Sequence, residues 1–203
     1  MSESEPTENE TIEREPPEEV PVWEDEYVDR VSDRLMFNYD LEKDQRVRGE
    51  PFTLTGTLRM ESHKQFLHPS IRYGHHETME HLFVQRRDGV RVSDLERLVS
   101  LGHDLADERV EADEEHFGTD FTFVVLAPEI PGDVREFVAD FKDRTLLKYG
   151  YYGRYEIHLL VVAPESETMV GSRNADIQDA FRLWEPLERD RGLVARLKRR
   201  LLG

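Results

Sequence analysis

The hydrophobic positions of this chain follow a helical period at first and an alternating period afterwards. An apolar residue recurs every four positions at Trp23, Tyr27, Val31 and Leu35. This spacing predicts a first helix with one apolar stripe. Apolar and polar residues then alternate from Leu35 to Leu41 and from Phe52 to Met60, which predicts two strands that each have one solvated face. The charged stretch from Lys43 to Pro51 is expected to connect them.

A third strand and a second helix follow. The segment from Thr78 to Arg86 carries apolar residues on both faces, which predicts a strand in the interior of a sheet. Ser93 and Glu96 have the spacing of a capping box, in which two side chains satisfy backbone N–H groups at a helix start. Apolar residues at helical spacing continue to Leu105, so a helix is predicted here.

Two β-branched runs end in the same tripeptide, Ala-Pro-Glu. They are Phe121 to Glu129 and Tyr155 to Glu165, and a helix capped by Asp133 is predicted between them. Strand, helix and strand in this order predict a right-handed unit with parallel strands. The expected fold class is therefore α/β (α+β): a mixed five-stranded sheet, with three antiparallel strands plus a βαβ unit, and helices packed on the sheet. Asn174 is expected to begin one more helix.

The two ends of the chain differ in composition from the single globular domain predicted over residues 22–185. Residues 1–21 are rich in Glu and Pro and poor in aliphatic residues, which predicts a disordered acidic tail. Residues 186–203 are basic, with Leu197 and Leu201 on one helical face, which predicts an amphipathic helix. That helix is expected to dock on the domain, on a protein partner or second copy, or weakly on a membrane surface.

The charge balance changes the expected setting of this protein. The chain has 44 acidic and 27 basic residues, a net charge of -17 over 203 residues, and most of its basic residues are Arg. Such a surface repels itself in dilute buffer, but the Debye length falls to about 3 Å in molar salt. The composition therefore favours a halophilic protein. Phosphate contacts weaken steeply with salt, so nucleic-acid binding is disfavoured.

Several classes of protein are disfavoured by what the sequence lacks. It contains no Cys, so disulfides and thiolate metal sites are excluded. Its apolar runs are far shorter than the ~20 residues of a spanning helix. Residues 1–6 show no secretory signal, which favours a cytoplasmic location. No cofactor is expected, because phosphate-binding and dinucleotide-binding glycine motifs are missing.

Five of the eight histidines lie between residues 63 and 81. Imidazole is a common metal ligand, and a folded loop could bring together His63, His68, His75 and His76. Two histidines six residues apart on one straight strand would be about 20 Å apart and could not share an ion. Ordinary surface or hydrogen-bonded histidines are the preferred interpretation, and these four are the ligands of the alternative metal site.

A glycine turn with aromatic residues lies between the last helix and strand of the βαβ unit. Gly150 and Gly153 flank Tyr151 and Tyr152, and Arg154 follows. The Gly-x-x-Gly form is typical of the RNA-binding KH loop, but this turn leads into a strand and its centre is not basic. Tyrosine-rich turns make good contact surfaces, so this turn predicts a protein-contact site together with the C-terminal helix.

The order of the predicted elements, a helix, three strands, a helix and a strand, resembles the core of the restriction-endonuclease-like nucleases. The resemblance implies a divalent ion held by an Asp on the second core strand and a Glu-x-Lys motif on the third. Here Glu61 and Lys64 are one residue too far apart and lie on the second strand. The alternative function is therefore a metal-dependent hydrolase, with a degenerate nuclease motif, that works through Asp40, Glu42 and Glu61 together with a histidine from residues 63–81.

Three stretches carry a second resemblance: Arg34–Asp44, Ser93–Asp107 and Arg144–Tyr155. From Arg34 to Trp184 the chain resembles a family of short haloarchaeal proteins of unknown function. The resemblance implies a single globular domain and brings no activity or catalytic residue. The leading hypothesis is a non-enzymatic binding or regulatory module that acts through protein contacts.

Overall fold

A computed structural model describes residues 21–63, 75–113, 116–173, 175 and 177–185, and the side chains of 61–63 and 75–77 lie outside that description. The predicted acidic tail and C-terminal helix therefore fall almost wholly outside the described residues. The described elements, in chain order, are α1 (Glu26–Leu35), β1 (Asp40–Val47), β2 (Glu50–His63), β3 (His75–Arg86), α2 (Val92–Arg109), β4 (His116–Leu126), α3 (Gly132–Asp140), β5 (Asp143–Leu146), β6 (Arg154–Ala163), β7 (Thr168–Gly171) and α4 (Gln178–Phe181).

The strands form one mixed sheet in the order β1-β2-β3-β4-β6-β5, with β7 also paired to β6. The pairs β1–β2 and β2–β3 are antiparallel, whereas β3, β4 and β6 run parallel to one another. The predicted α/β class and the βαβ unit are confirmed. The described sheet has seven strands rather than five, because β5 and β7 are four-residue segments that are too short to give an alternating pattern.

The first strand begins at Asp40 rather than at Leu35. Leu35 is the last residue of α1, and the backbone N–H of Tyr39 still donates to its carbonyl at 2.9 Å. The charged stretch predicted as a connection is mostly the edge strand β1, where one side of the strand meets solvent. Arg48 and Gly49 make the turn into β2, both with positive φ.

Two helices also begin at other residues than predicted. The α2 helix begins at Val92, and the Asp94 carboxylate accepts a hydrogen bond from the N–H of Arg91 at 2.9 Å. Ser93 therefore lies inside the helix rather than capping it. The α3 helix begins at Gly132, one residue before the predicted cap, Asp133.

Helices cover both faces of the sheet, and each face has its own hydrophobic core. On one face α2 and α3 pack through Leu95, Leu98 and Val134 against strand residues that include Phe83, Phe123 and Ile157. On the other face α1 and α4 pack through Val28, Leu35 and Phe181 against strand residues that include Leu82, Val124 and Leu160. Among the described helices, none is both long and apolar enough to cross a membrane.

His81 lies in the core beneath α2 and is expected to make stability depend on pH. Its ring stacks on Phe121 at 5.2 Å between centroids, and burial lowers its pKa from 6.5 to about 4. Between pH 6.5 and pH 4 the His81 imidazole is protonated in the unfolded chain but stays neutral in the folded protein. The free energy of unfolding therefore decreases as the pH falls from 6.5 toward 4.

Denaturation of the wild type and of His81→Phe between pH 7 and pH 4 isolates this effect from the carboxylates, which titrate in both proteins. We expect the wild type to lose up to about 3 kcal/mol more than the variant over this range. Parallel stability curves would contradict the buried neutral imidazole.

Gly153 is expected to be the most restrictive glycine of the turn before β6. Its φ is +77°, and an added Cβ would lie 2.3 Å from the Phe117 carbonyl oxygen. Gly150 also has a positive φ, +89°, but an added Cβ there meets nothing within 4 Å. Gly150→Ala should lower the free energy of unfolding by about 1 kcal/mol, because only the positive φ is unfavourable for alanine there. Gly153→Ala should lower it by several kcal/mol, because the steric clash adds to the unfavourable φ. Urea denaturation of both variants measures the difference, and equal losses would contradict the close approach to Phe117.

Candidate functional site

Three carboxylates lie side by side across three neighbouring parallel strands. Glu80 of β3 is directly opposite Asp120 of β4, and Asp120 is directly opposite Glu156 of β6. Directly opposite residues point to the same face, here the face covered by α1 and α4. Glu80, Asp120 and Glu156 are only 8%, 4% and 2% exposed. We call these three residues the carboxylate row.

The carboxylate row lies where this face of the sheet changes from polar to apolar. One step further along the strands, Thr122 is opposite His158, and the step after that pairs Val124 with Leu160. All four of these side chains are buried. Strand residues two apart share a face. On this face, the first halves of β4 and β6 therefore carry polar side chains and the second halves carry apolar ones.

His158 brings an imidazole nitrogen to the carboxylate row. Its Nε2 lies 3.7 Å from Asp120 Oδ1 and 4.0 Å from Glu156 Oε2. One potential ligand atom from each of these three residues lies within 4.8 Å of the others. The His158 side chain is buried, and its Nε2 has no hydrogen-bond partner among the described residues. Buried polar atoms nearly always have a partner, so this nitrogen requires an explanation. We call Asp120, Glu156 and His158 the acid–imidazole cluster.

Two arginines hold the other oxygen of Glu156. The Arg154 Nε–H donates to Glu156 Oε1, and Arg144 Nε lies 3.7 Å from the same oxygen. Arg154 is itself held in place, because its guanidinium lies 5.6 Å from the centroid of the Phe117 ring. Glu156 therefore directs Oε1 to the arginines and Oε2 to His158.

The far end of the carboxylate row is held by a tyrosine from the turn after α1. The Tyr39 O–H donates a hydrogen bond to Glu80 Oε2, and both residues are buried. The row is thus bounded by a hydroxyl donor at Glu80 and by guanidinium groups at Glu156.

A gap in the edge of the sheet gives access to the acid–imidazole cluster. Both β5 and β7 pair with the same edge of β6, but β5 begins opposite Ile157 and β7 ends opposite Leu160. Between them Ser172 closes the ladder: its N–H donates to the Leu159 carbonyl at 2.8 Å, and its Oγ accepts from the Leu159 N–H at 3.2 Å. We call this gap the edge notch.

The edge notch contains a cavity of about 100 Å³. Glu156 and His158 form part of its wall, and Lys142, Ser172 and Arg173 are also among its lining residues. Lys142 and Arg173 are exposed. Another polar lining residue, Asp143, pairs with His103 Nε2 at 3.0 Å.

A larger cavity of about 440 Å³ lies where β2 begins and β3 ends. Arg86 and Arg87 are among its lining residues. Arg86 pairs with Asp25, whose pKa is lowered because it accepts hydrogen bonds from Arg86 and from the first turn of α1, although burial opposes the shift. Arg87 pairs with Glu50 and Asp94. Arg86 and Arg87 are therefore already matched by carboxylates.

Two of the three carboxylates predicted for a hydrolase, Asp40 and Glu42, do not join the acid–imidazole cluster. Asp40 and Glu42 are exposed on the edge strand β1, opposite Thr57 and Thr55. Those threonines pair with His81 and Phe83, so Asp40 and Glu42 point to the face of α2 and α3. The side chain of Glu61 lies outside the described residues.

The predicted histidine group is described only in part. The backbone of His63 pairs with that of His75, and His76 pairs with Ser62, at one end of β2 and β3. The side chains of His63, His75 and His76, and the whole of His68, lie outside the described residues.

The predicted protein-contact residues of the turn before β6 differ in exposure. Tyr151 is 86% exposed, whereas Tyr152 is half-buried and Arg154 points to Glu156. Leu197 and Leu201 lie outside the described part of the chain. Tyr149, at the start of the same turn, is more exposed than Tyr151, at 96%.

Sequence reasoning missed all three residues of the acid–imidazole cluster. The signal was present, because Asp120, Glu156 and His158 interrupt two runs that are otherwise β-branched and aromatic. A charged residue inside a strand that is buried on both faces requires a partner. Their convergence depends on the register of β4 and β6, which the sequence does not show.

The comparisons with known proteins give a family and no activity. A family model described as a domain of unknown function (DUF8052) matches residues 24–183, from the residue before the cap of α1 to just beyond the end of α4. The match includes the whole described sheet and the acid–imidazole cluster. No curated protein and no solved structure matches the chain. The chain therefore belongs to the DUF8052 family, a domain of unknown function.

Proposed function

We propose that this domain binds one divalent first-row metal ion through Asp120, Glu156 and His158. The observation that carries the proposal is the buried Nε2 of His158, which has no hydrogen-bond partner in the described part of the chain and faces carboxylate oxygens on two neighbouring strands. A neutral imidazole nitrogen with a free lone pair is a metal ligand.

The separations between the atoms fit a shared ion after a small adjustment. Metal–ligand bonds of about 2.0–2.2 Å place two tetrahedral ligand atoms about 3.4 Å apart. His158 Nε2 lies 3.7 Å from the Asp120 oxygen and 4.0 Å from the Glu156 oxygen. A direct hydrogen bond between His158 and Asp120 would be about 2.7–3.2 Å long, so the cluster is wider than a simple hydrogen-bonded pair.

The charges around the cluster support a cation. Like charges directly opposite each other on neighbouring strands are destabilising, and the carboxylate row places three in succession. Arg154 and Arg144 lie at the Glu156 end of this row. They act as the supporting groups that orient a metal-binding carboxylate, because they leave Oε2 directed at His158.

The ligand set indicates which ions to test. One imidazole and two carboxylates suit Zn²⁺, Mn²⁺ and Co²⁺ better than Ca²⁺, which takes six to eight oxygens. Three protein ligands also leave a further coordination position, as catalytic metal sites do. The metal-dependent hydrolase of the sequence interpretation would thus use this cluster in place of Asp40 and Glu42.

A second candidate function is self-association through the turn before β6. Tyr149 and Tyr151 are 96% and 86% exposed, and Lys148 and Tyr149 both have a positive φ. Strained, exposed aromatic residues are typical of contact surfaces rather than of packing. This observation supports the protein-contact module, with a second copy of the chain as the partner.

The excess of acidic side chains supports a salt-rich setting for either function. Both are therefore tested in molar potassium chloride, where the repulsion between like charges on the surface is screened.

The metal proposal predicts saturable binding of one Co²⁺ or Zn²⁺ ion per chain. Calorimetry of the metal-free protein measures stoichiometry and affinity, and Co²⁺ absorption reports the coordination geometry of the bound ion. His158→Gln removes the nitrogen ligand and should weaken binding at least tenfold. Asp120→Asn should weaken it by a similar factor, since a neutral amide oxygen is a poorer ligand.

His103→Gln is the matched control for these variants. Its Nδ1 and Nε2 already contact the Tyr155 hydroxyl and Asp143, both at 3.0 Å, so its loss should leave metal affinity within twofold. Wild-type protein that shows no saturable binding, or His158→Gln that binds as tightly as wild type, would refute the metal function.

The self-association proposal predicts a dimer that depends on the exposed tyrosines. Replacing Tyr149 and Tyr151 together by Ser should give a monomer in sedimentation equilibrium, because the apolar contact area is lost. Phe37→Ser is the control, since Phe37 is an exposed aromatic residue outside this turn, at 46%. A wild-type protein that is monomeric across the concentration range contradicts this candidate.

A further inference from the structure

We propose that the edge notch binds a small oxyanion, a phosphate ion or the phosphate group of a small monoester, and that this anion completes the coordination of the metal. This inference rests on the proposed metal function and adds the class of ligand. It follows from the shape of the notch, the cations at its rim and the residues of its inner wall.

The size of the cavity limits the ligand. A volume of about 100 Å³ holds several water-sized groups and therefore one phosphate group. It opens between the first residue of β5 and the last residue of β7, so the route into it passes the backbone of His158 and Leu159. A larger molecule could place only its charged group here.

The rim of the notch is positive on a protein that is strongly negative. Lys142 and Arg173 both line the cavity, and in the described part of the chain neither makes an ion pair. The net charge is -17, so carboxylates for such pairs are abundant. Two such cations at one cavity therefore favour an anionic ligand, and an arginine fork suits phosphate oxygens.

Ser172 adds a hydrogen-bond donor at the same place. Its Oγ accepts a hydrogen bond from the Leu159 N–H, which leaves the hydroxyl hydrogen available to a ligand in the cavity. Ser172 is buried and held by its own N–H to the Leu159 carbonyl at 2.8 Å. The hydroxyl is thus a fixed donor beside the two exposed cations.

The inner wall makes anion binding depend on the metal. Glu156 and His158 line the cavity, and without a cation the Glu156 carboxylate repels an anion. A bound dication reverses the local field and offers a direct ligand position to the oxyanion. Metal and anion are therefore coupled, and the coupling is reciprocal: phosphate raises the metal affinity by the factor by which metal raises the phosphate affinity.

The test uses the full chain in molar potassium chloride, with inorganic phosphate and phenyl phosphate as the two probes. Metal affinity is measured first, without phosphate. Each probe is then titrated against Mn²⁺-loaded and metal-free protein, and the ³¹P relaxation rate reports its distance from the ion. We expect strong ³¹P broadening that saturates with Mn²⁺-loaded protein. Phosphate should bind at least tenfold more weakly to the metal-free protein, and phosphate should raise the metal affinity by the same factor.

Arg173→Ala should weaken phosphate binding about tenfold, as expected for the loss of a charge-assisted contact, and leave metal affinity measured without phosphate unchanged. Arg97→Ala is the control for net charge, because Arg97 is exposed on α2 and pairs with Asp94 at 2.8 Å. It should leave both affinities unchanged. A monoester that binds more tightly than inorganic phosphate identifies a phosphorylated small molecule as the ligand, and the reverse order identifies the free ion.

The outcomes separate the two proposals. Metal binding without saturable ³¹P broadening overturns the oxyanion inference and leaves the metal function intact. Phosphate binding that is equal with and without metal, or unchanged in Arg173→Ala, also overturns it. Absence of metal binding itself removes the proposed function and this inference together.

Discussion

The register between β3, β4 and β6 is the constraint on which the rest of this structure depends. It places Glu80, Asp120 and Glu156 directly opposite one another on one face of the sheet. The strands β3, β4 and β6 follow one another in one direction across the sheet, and both crossover helices, α2 and α3, pack on the same face, as right-handed connections require. The other face is left to α1 and α4, whose apolar contacts reach the part of the strands that begins at Leu82 and Val124.

Local patterns predicted the elements whose signal lies within one segment. The α2 helix has a long apolar period, and β4 and β6 carry β-branched runs stopped by Pro, so their type and their parallel arrangement followed from sequence. The alternation from Leu35 to Leu41 misled because it crosses the end of α1, where Leu35 completes a helical stripe. The short strands β5 and β7 exist because β6 offers them an edge, which is a tertiary cause.

The candidate site could not be predicted for a related reason. Asp120 lies 36 residues before Glu156 in the sequence, and nothing local shows that β4 and β6 align them rather than neighbours one residue away. A shift of one residue would turn one of these side chains to the opposite face, into the core beneath α2. Conversely, the five histidines between residues 63 and 81 indicated a site by their number alone. One of them, His81, stacks on Phe121 in that core and is held neutral. In a chain with 44 acidic residues, frequency is no guide to a site, whereas burial is.

Burial also explains why the acid–imidazole cluster and the edge notch belong together. A carboxylate that is 2% exposed must be compensated, and the two oxygens of Glu156 meet different groups, since Oε1 contacts the arginines and Oε2 faces His158. The Oε1 atom of Glu156 already has the two arginines as partners. A metal ion or other bound ligand would therefore approach Glu156 from the side of Oε2 and His158. That is the side of the edge notch, between the pairings of β5 and β7 with β6, where Lys142 and Arg173 lie. A gap in an edge ladder is costly unless other groups complete its hydrogen bonds. Ser172 does so here with one residue, so the ladder is bridged beside the cavity without a further strand.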